Sequence, residues 1–370
     1  MKKITLLVTL LLAVSLLAGC AGTPVVYYTE CTCPVGSHET VVAAPAEAPA
    51  ATEAAPVAEV AVAEGAMKTG LYISAGISDS KSATAEENGE GKYDVTMVAV
   101  LVDDNGVIQD CIIDGIAASV KFDANGAITS DLTAAPQTKN ELGPNYGMVA
   151  WGGAIAEWDA QAAALASFAV GKTVEELRNG AVDETGKAPA GSDLATSATI
   201  YLGGYVSAIE KAVANAQHLG AQAGDELRLA SVNGIDSSAS ADAENAGNAQ
   251  LDSTVTALTL KDGIITSCAI DAVQAKVAFD ASGVVTSDLS AAVKTKNELG
   301  LDYGMVAWAG AIAEWNEQAA SFAAYVTGMT ADEVLGIAVN ESTKPTDADL
   351  TASVTIAIGG FQALIQKAAQ

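Results

Sequence analysis

A nearly identical internal repeat limits the folds open to this chain more than any other feature. Residues 138–158 (TKNELGPNYGMVAWGGAIAEW) return 157 positions later at residues 295–315 (TKNELGLDYGMVAWAGAIAEW), with 18 of 21 positions identical. Aligning outward from this block assigns nearly everything after residue 67 to two copies of one module. Because a repeat of this length specifies one structural unit used twice, both copies are expected to share a fold.

Each module opens with a pattern typical of antiparallel strands. In the first module, residues 93–102 are apolar and β-branched, residues 103–106 (DDNG) are a hairpin-turn signal, and residues 107–113 form a return strand. The second module repeats these parts at residues 253–260, 261–263 and 264–270. Further turn signals at 123–126 and 280–283 predict a short strand on each side. Cys111 and Cys268 take equivalent places in the return strands, as small buried hydrophobes.

A helical region follows the sheet in each module. Trp151, Ile155, Trp158 and Ala162 are spaced by four, three and four residues, which predicts one face of a helix with both tryptophans in the core. Trp308, Ile312, Trp315 and Ala319 repeat the pattern. Glu157 and Glu314 beside them either face solvent or bind backbone amides.

Glycine and threonine positions predict where the next helices end and begin. Gly171 and Gly328 are expected to stop the tryptophan helices, and Thr173 and Thr330 each begin a capping-box pattern. The fold class predicted is α+β: two tandem copies of an antiparallel-sheet-plus-helices module, preceded by a signal peptide and a disordered stalk.

The N-terminus has the pattern of an exported lipoprotein. Residues 1–20 place two lysines before a short apolar run that ends in Leu-Ala-Gly-Cys, which resembles the bacterial lipobox. That resemblance implies cleavage before Cys20 and a lipid on its sulfur, so membrane attachment through Cys20 and an extracytoplasmic location are expected. The alternative is an ordinary signal peptide with an accidental cysteine.

The remaining domain boundaries follow from composition and repeat alignment. Residues 21–67 are a low-complexity Ala/Pro/Glu linker, and the modules are expected at residues 68–218 and 219–370. Cys31 and Cys33 in the linker are interpreted as exposed thiols or a local disulfide, with a redox pair or metal clip as the alternative.

Charge and histidine content exclude several function classes. The formal net charge of −27 repels phosphate backbones, so nucleic acid is not an expected partner. With only two histidines, the sequence offers no Ser-His-Asp or Cys-His arrangement, and a hydrolase is disfavoured. The sequence leaves enzymatic activity open and favours an electron carrier over a classical catalyst.

One motif near the end of each module resembles a known cofactor-attachment sequence. Residues 193–199 (DLATSAT) precede Gly203-Gly204 and an Ala-rich helix, and residues 349–355 (DLTASVT) precede Gly359-Gly360 and another helix. These residues resemble the FMN-binding domain family, found in extracytoplasmic subunits of the Rnf complex and of the sodium-pumping quinone reductase. That family carries Asp-x-x-(Ser/Thr)-Gly-Ala-(Thr/Ser), and a flavin transferase esterifies the last hydroxyl to the FMN phosphate.

The resemblance implies a set of FMN-binding residues that is more complete in the first module. There, Asp193, Thr196, Ala198 and Thr199 match the motif, and Ser197 stands where the family has glycine. In the second module only Asp349 and Thr355 match. The resemblance implies FMN, attached covalently at Thr199, a redox partner protein and extracytoplasmic electron transfer. A purely structural alternative is a half-buried strand in which Ser197, Thr199 and Tyr201 face one side.

The second functional hypothesis is a non-enzymatic surface lipoprotein that has lost flavin and binds another small ligand or a protein partner. The repeated block is better preserved than the Asp-to-Thr motif of the second module, which favours this view. A ligand groove near Asn140, Glu141 and Tyr146 is one possibility it raises. The other is that the block is preserved as core.

Overall fold

A computed structural model of the chain describes residues 65–370. The predicted signal peptide, lipidation at Cys20, nearly all of the stalk, and Cys31 and Cys33 lie outside the described residues. Over the described part, the chain is a mixed α+β structure with two three-stranded antiparallel sheets, one in each repeat.

The strands of each repeat form a meander. The first sheet contains β1 (Lys68–Gly76), β2 (Gly89–Val102) and β3 (Ile108–Phe122), and the second contains β4 (Glu226–Gly234), β5 (Gly247–Lys261) and β6 (Ile264–Phe279). The two central hairpins confirm the strands and turns expected from sequence. The expected short strands after residues 126 and 283 are reduced to single bridges, Phe122 with Ile128 and Phe279 with Val285.

Six helices follow the sheet in each repeat. The first repeat contains α1 (Lys139–Leu142), α2 (Met148–Gly152), α3 (Trp158–Ala169), α4 (Val174–Ala181), α5 (Asp193–Ser197) and α6 (Gly203–Ala214). The second contains α7 (Lys296–Leu299), α8 (Met305–Ala309), α9 (Trp315–Val326), α10 (Ala331–Leu335), α11 (Ala348–Thr351) and α12 (Gly359–Ala368). Capping boxes at Thr173 and Thr330 start α4 and α10, as expected from sequence. None of the helices between residues 65 and 370 is long and apolar enough to cross a membrane.

Alternating side chains give each sheet two apolar faces. In β2, Tyr93, Val95 and Met97 face the other repeat, whereas Val98 and Val100 face the helices of their own repeat. The two inner faces share one hydrophobic core, and each outer face is covered by helices. The order of layers is therefore helices, sheet, sheet, helices, which buries both faces of both sheets.

Contacts in the shared core between the repeats are reciprocal. The equivalent rings of Phe122 and Phe279 stack with centroids 3.8 Å apart and planes inclined by 2°. Ala83 N donates to Gly283 O at 2.8 Å, and Ala241 N donates to Gly126 O at the same distance. An interface in which each side makes the contacts that it receives is that of a twofold dimer, here within one chain.

Candidate functional site

The motif that resembles the flavin-attachment sequence forms a short helix and a loop in the first repeat. Asp193 begins α5, Thr196 Oγ1 donates to Asp193 O at 2.7 Å, and Ser197 ends the helix. Ala198 is buried and Thr199 is exposed. The alternative interpretation as a half-buried strand is wrong in its secondary structure, because Ser197 ends a helix and residues 198–202 pair with no strand within residues 65–370. Its expected alternation of burial is present, since Ser197, Thr199 and Tyr201 are exposed whereas Ala198 and Leu202 are buried.

A buried glutamine fixes the threonine loop. Gln161 is fully buried, and its Oε1 accepts from Thr199 N at 2.8 Å, Thr199 Oγ1 at 3.3 Å and Ile200 N at 3.2 Å. Gln318 makes the same three bonds in the second repeat, to Thr355 N, Thr355 Oγ1 and Ile356 N. Asp349 is exposed in α11. The two threonines therefore keep one geometry although the residues between them and their aspartates differ.

The tryptophans do not form the single helical face expected from their spacing. Trp158 and Trp315 are buried, but Trp151 and Trp308 are each 90% exposed, and Ile155 and Ile312 are more than half exposed. The helix is interrupted because Gly153 adopts a positive φ of 62° at the end of α2, before α3 begins. The expectation that Trp151 and Trp308 are core anchors is wrong.

The carboxylate of Glu157 holds the segment that carries Trp151. It accepts from Met148 N at 2.8 Å and Val149 N at 3.0 Å, so of the two roles expected for this glutamate the structure shows amide binding. Glu314 does the same for Met305 N and Val306 N. Because the free amides at the start of a short helix carry partial positive charge, a carboxylate is the appropriate partner.

The cysteines of the return strands are buried, as expected. Cys111 is 7% exposed and Cys268 is 4% exposed, and both are free thiols. Burial raises the pKa of Cys268 to about 11 and that of Cys111 further, so neither is a thiolate at neutral pH. The structure gives them a packing role. No cluster of three or more metal-binding side chains occurs within residues 65–370.

An open cleft lies between the repeats and has a volume of about 760 Å³. The first repeat contributes β1 and the segment after α6, including Tyr72, Asn215 and His218, and the second contributes β6, α7 and α9. The volume is in the range of small-molecule sites. A site at the junction of two domains is also a common place for a ligand.

Carbonyl and carboxylate oxygens line the second repeat's side of this cleft. Asp271 is 8% exposed, and its Oδ1 accepts from Ala272 N at 2.7 Å and Asn297 N at 3.0 Å. Burial raises the pKa of Asp271 to about 6. Glu298 caps α7 by accepting from Thr295 N at 2.9 Å. The Oδ1 atom of Asn316 is buried and has no hydrogen-bond partner within the described part of the chain.

The apolar part of the lining comes from small and aliphatic side chains, namely Leu71, Ile73, Ala320, Ala323 and Ala324. The short alanine side chains leave space for a bound molecule. Together with the oxygens, they make a cleft that suits a molecule with hydrogen-bond donors on an apolar body.

The residues near which a groove was expected, Asn140, Glu141 and Tyr146, make contacts within the protein in the first repeat. Asn140 Nδ2 donates to Ile113 O at 3.0 Å, and Glu141 is ion-paired with Lys367. Tyr146 packs against the core of its own repeat. The second-repeat equivalents of the first two, Asn297 and Glu298, line the open cleft instead. Two of the three residue types expected at a groove therefore line this cleft, in the second copy of the block.

Comparison with known proteins adds no relative to these observations: no family model matches, and neither the curated proteins nor the solved structures give a match.

Proposed function

We propose that this chain is a non-enzymatic, extracytoplasmic lipoprotein whose two repeats together bind one small molecule. The observation that carries the proposal is the open cleft of about 760 Å³ between the repeats. Both repeats supply its walls, which explains why the two modules occur in one chain. The lipid anchor proposed at Cys20 would hold this binding unit at the outer surface of the cell membrane.

A matched pair of variants tests the proposal. Ala320 of α9 lines the cleft and is exposed, whereas Ala163 is its equivalent on α3 in the first repeat. A library of amines, carboxylates, sugars and nucleotides is screened for compounds that raise the melting temperature. We expect binding compounds that lose their effect in Ala320→Trp and keep it in Ala163→Trp. A library without any such compound would contradict the proposal.

A flavin-based electron carrier is the second candidate. The observation that favours it is the shared geometry of Thr199 and Thr355, each held by a buried glutamine just before a helix without a side-chain cap. The uncapped amides of α6 are suitable partners for a phosphate on Thr199 Oγ1. Against this fit, that hydroxyl already donates to Gln161, and esterification would remove the bond.

Bound FMN would supply electron transfer, with Asp193, Thr196, Ser197 and Ala198 shaping the loop around the attachment point. Protein from its native host is denatured in acid and examined for flavin fluorescence. Fluorescence that stays with the chain and disappears in Thr199→Val supports this candidate. Colourless native protein excludes it, and the same two measurements on Thr355→Val report on the second repeat.

A further inference from the structure

The twofold relation between the repeats gives the open cleft a counterpart on the other side of the molecule. Tyr72 of β1, Lys211 of α6 and Glu298 of α7 surround the open cleft or its rim. Their equivalents in the aligned repeats are Ala230, Lys367 and Glu141. The two places therefore have the same lysine and the same glutamate, and they differ at the aromatic position.

In the counterpart, a lysine ammonium binds the carboxylate of the glutamate. Lys367 Nζ forms an ion pair with Glu141 Oε1 and donates to Ser231 O at 2.7 Å. Glu141 uses its other oxygen, Oε2, to accept from Thr138 N at 2.9 Å. The ammonium comes from the second repeat and the carboxylate from the first, so the pair links the two repeats at this place.

In the open cleft, the equivalent lysine is directed elsewhere. Lys211 Nζ donates to the hydroxyl of Tyr72 at 2.8 Å and lies 4.7 Å from the centroid of its ring. Such a cation–aromatic contact adds to the hydrogen bond and keeps the ammonium at the rim. Where the counterpart has Ala230, no ring or hydroxyl is present to divert Lys367.

Glu298 therefore keeps an oxygen available. Its Oε2 accepts from Thr295 N, as Glu141 does from Thr138 N, but within residues 65–370 it has no ion pair. Asp271 and the unpaired Oδ1 of Asn316 add further acceptors in the same cleft. The other titratable groups near it are Lys211, held by Tyr72, and His218, whose Nε2 lies 2.9 Å from Asp104 Oδ1.

We propose that the open cleft binds a primary amine with an apolar body, whose ammonium sits on Glu298 as the Lys367 ammonium sits on Glu141. The apolar body then lies against Ile73 and the alanines of α9. This inference rests on the proposed small-molecule function and specifies its ligand class. A hydrogen-bonded charge pair in a partly buried site favours the cation over a neutral analogue of the same shape.

Three compounds of one skeleton test the ligand class: phenethylamine, 2-phenylethanol and phenylacetate, titrated calorimetrically into the full chain. We expect phenethylamine to bind with one site and at least tenfold more tightly than either analogue. Ala320→Trp abolishes this binding. Equal or tighter binding of the alcohol or the carboxylate, still blocked by Ala320→Trp, would overturn the amine inference while leaving cleft binding intact.

The twofold counterpart provides variants with opposite outcomes. Tyr72→Ala gives β1 the alanine found at Ala230 and frees Lys211 to reach Glu298, so amine binding is lost. Adding Lys211→Met removes the competing ammonium and restores amine binding.

Lys367→Met removes the ammonium from Glu141 and opens a second site, so the stoichiometry rises from one to two. Unchanged binding in Tyr72→Ala, or a stoichiometry of one in a folded Lys367→Met protein, would overturn the inference. Absence of cleft-dependent binding by any library compound would contradict the proposed function itself.

Discussion

Two buried glutamines connect the threonine loops to the longest helices of the repeats. Because Gln161 is fully buried and its Oε1 accepts from two backbone amides and one hydroxyl, Gln161→Ala removes three hydrogen bonds and leaves a cavity. We expect the free energy of unfolding to fall by about 2–4 kcal/mol. Thr199→Val removes only the hydroxyl and should cost about 1 kcal/mol or less. Chemical denaturation of both variants checks this, and a Gln161→Ala loss as small as that of Thr199→Val would contradict it.

Asp271 makes stability depend on pH. Its folded pKa of about 6 lies above the value near 3.9 of an unfolded aspartate, so the folded state holds this proton more tightly. The stabilisation is complete below about pH 4 and is lost as the pH rises through 6. Relative to Asp271→Asn, the wild-type unfolding free energy should therefore drop by roughly 2–3 kcal/mol from pH 4 to 7. A difference in unfolding free energy between the two proteins that is the same at pH 4 and pH 7 would contradict the raised pKa of Asp271.

The segments between Gly147 and Trp158 and between Gly304 and Trp315 place one tryptophan in solvent and one in the core. Trp158 Nε1 donates to Tyr205 OH at 3.0 Å, whereas Trp151 is 90% exposed. In the double variant Trp151→Ala/Trp308→Ala, most of the quenching of tryptophan fluorescence by acrylamide should be lost. The free energy of unfolding should change by less than about 1 kcal/mol. Trp158→Ala should instead cost about 3–5 kcal/mol. Equal losses for exposed and buried positions would show that this segment is packed differently.

Local signals predicted the elements better than periodicity did. The hairpin turns and the capping boxes at Thr173 and Thr330 depend on a few adjacent residues, and the structure confirms them. The prediction that Trp151 and Trp158 share one helical face was wrong. Two glycines in the left-handed conformation, Gly147 and Gly153, begin and end a separate short helix that carries Trp151. The β1 strand was missed because its pairing with β2 is set by the sheet and not by a nearby turn.

The candidate site depends on contacts that are distant in sequence. Asn140 and Glu141 could be named from the sequence. Which copy of the groove is open depends, however, on whether Tyr72 or Ala230 lies beside the lysine of the helix packed on that strand, Lys211 or Lys367. Tyr72 and Lys211 are 139 residues apart. This contact lies within the first repeat and follows from the packing of α6 against β1, which neither the motif nor its spacing contains. The asymmetry of two modules with one fold is thus a property of the folded molecule, set at positions where their sequences differ.

The same twofold relation predicts how one repeat behaves alone. Residues 219–370 contain β4–β6 and α7–α12, and their inner sheet face is apolar. The reciprocal contacts of the shared core can form again between two copies: Phe279 can stack on a second Phe279, and Ala241 N can donate to Gly283 O of a second copy. Because exposing an apolar sheet face to water is unfavourable, the isolated repeat should form a symmetric dimer through that face.

Sedimentation equilibrium of residues 219–370 measures this association directly. We expect a dimer whose unfolding midpoint rises with protein concentration, since dissociation and unfolding are linked. Phe279→Glu places two carboxylates at the twofold axis and should abolish the dimer. A substitution at the exposed Trp308 to Ala is the matched control and should leave the dimer intact, because that side chain lies outside the shared core. A folded, monomeric repeat would contradict the view that the shared core between the sheets is what holds this molecule together.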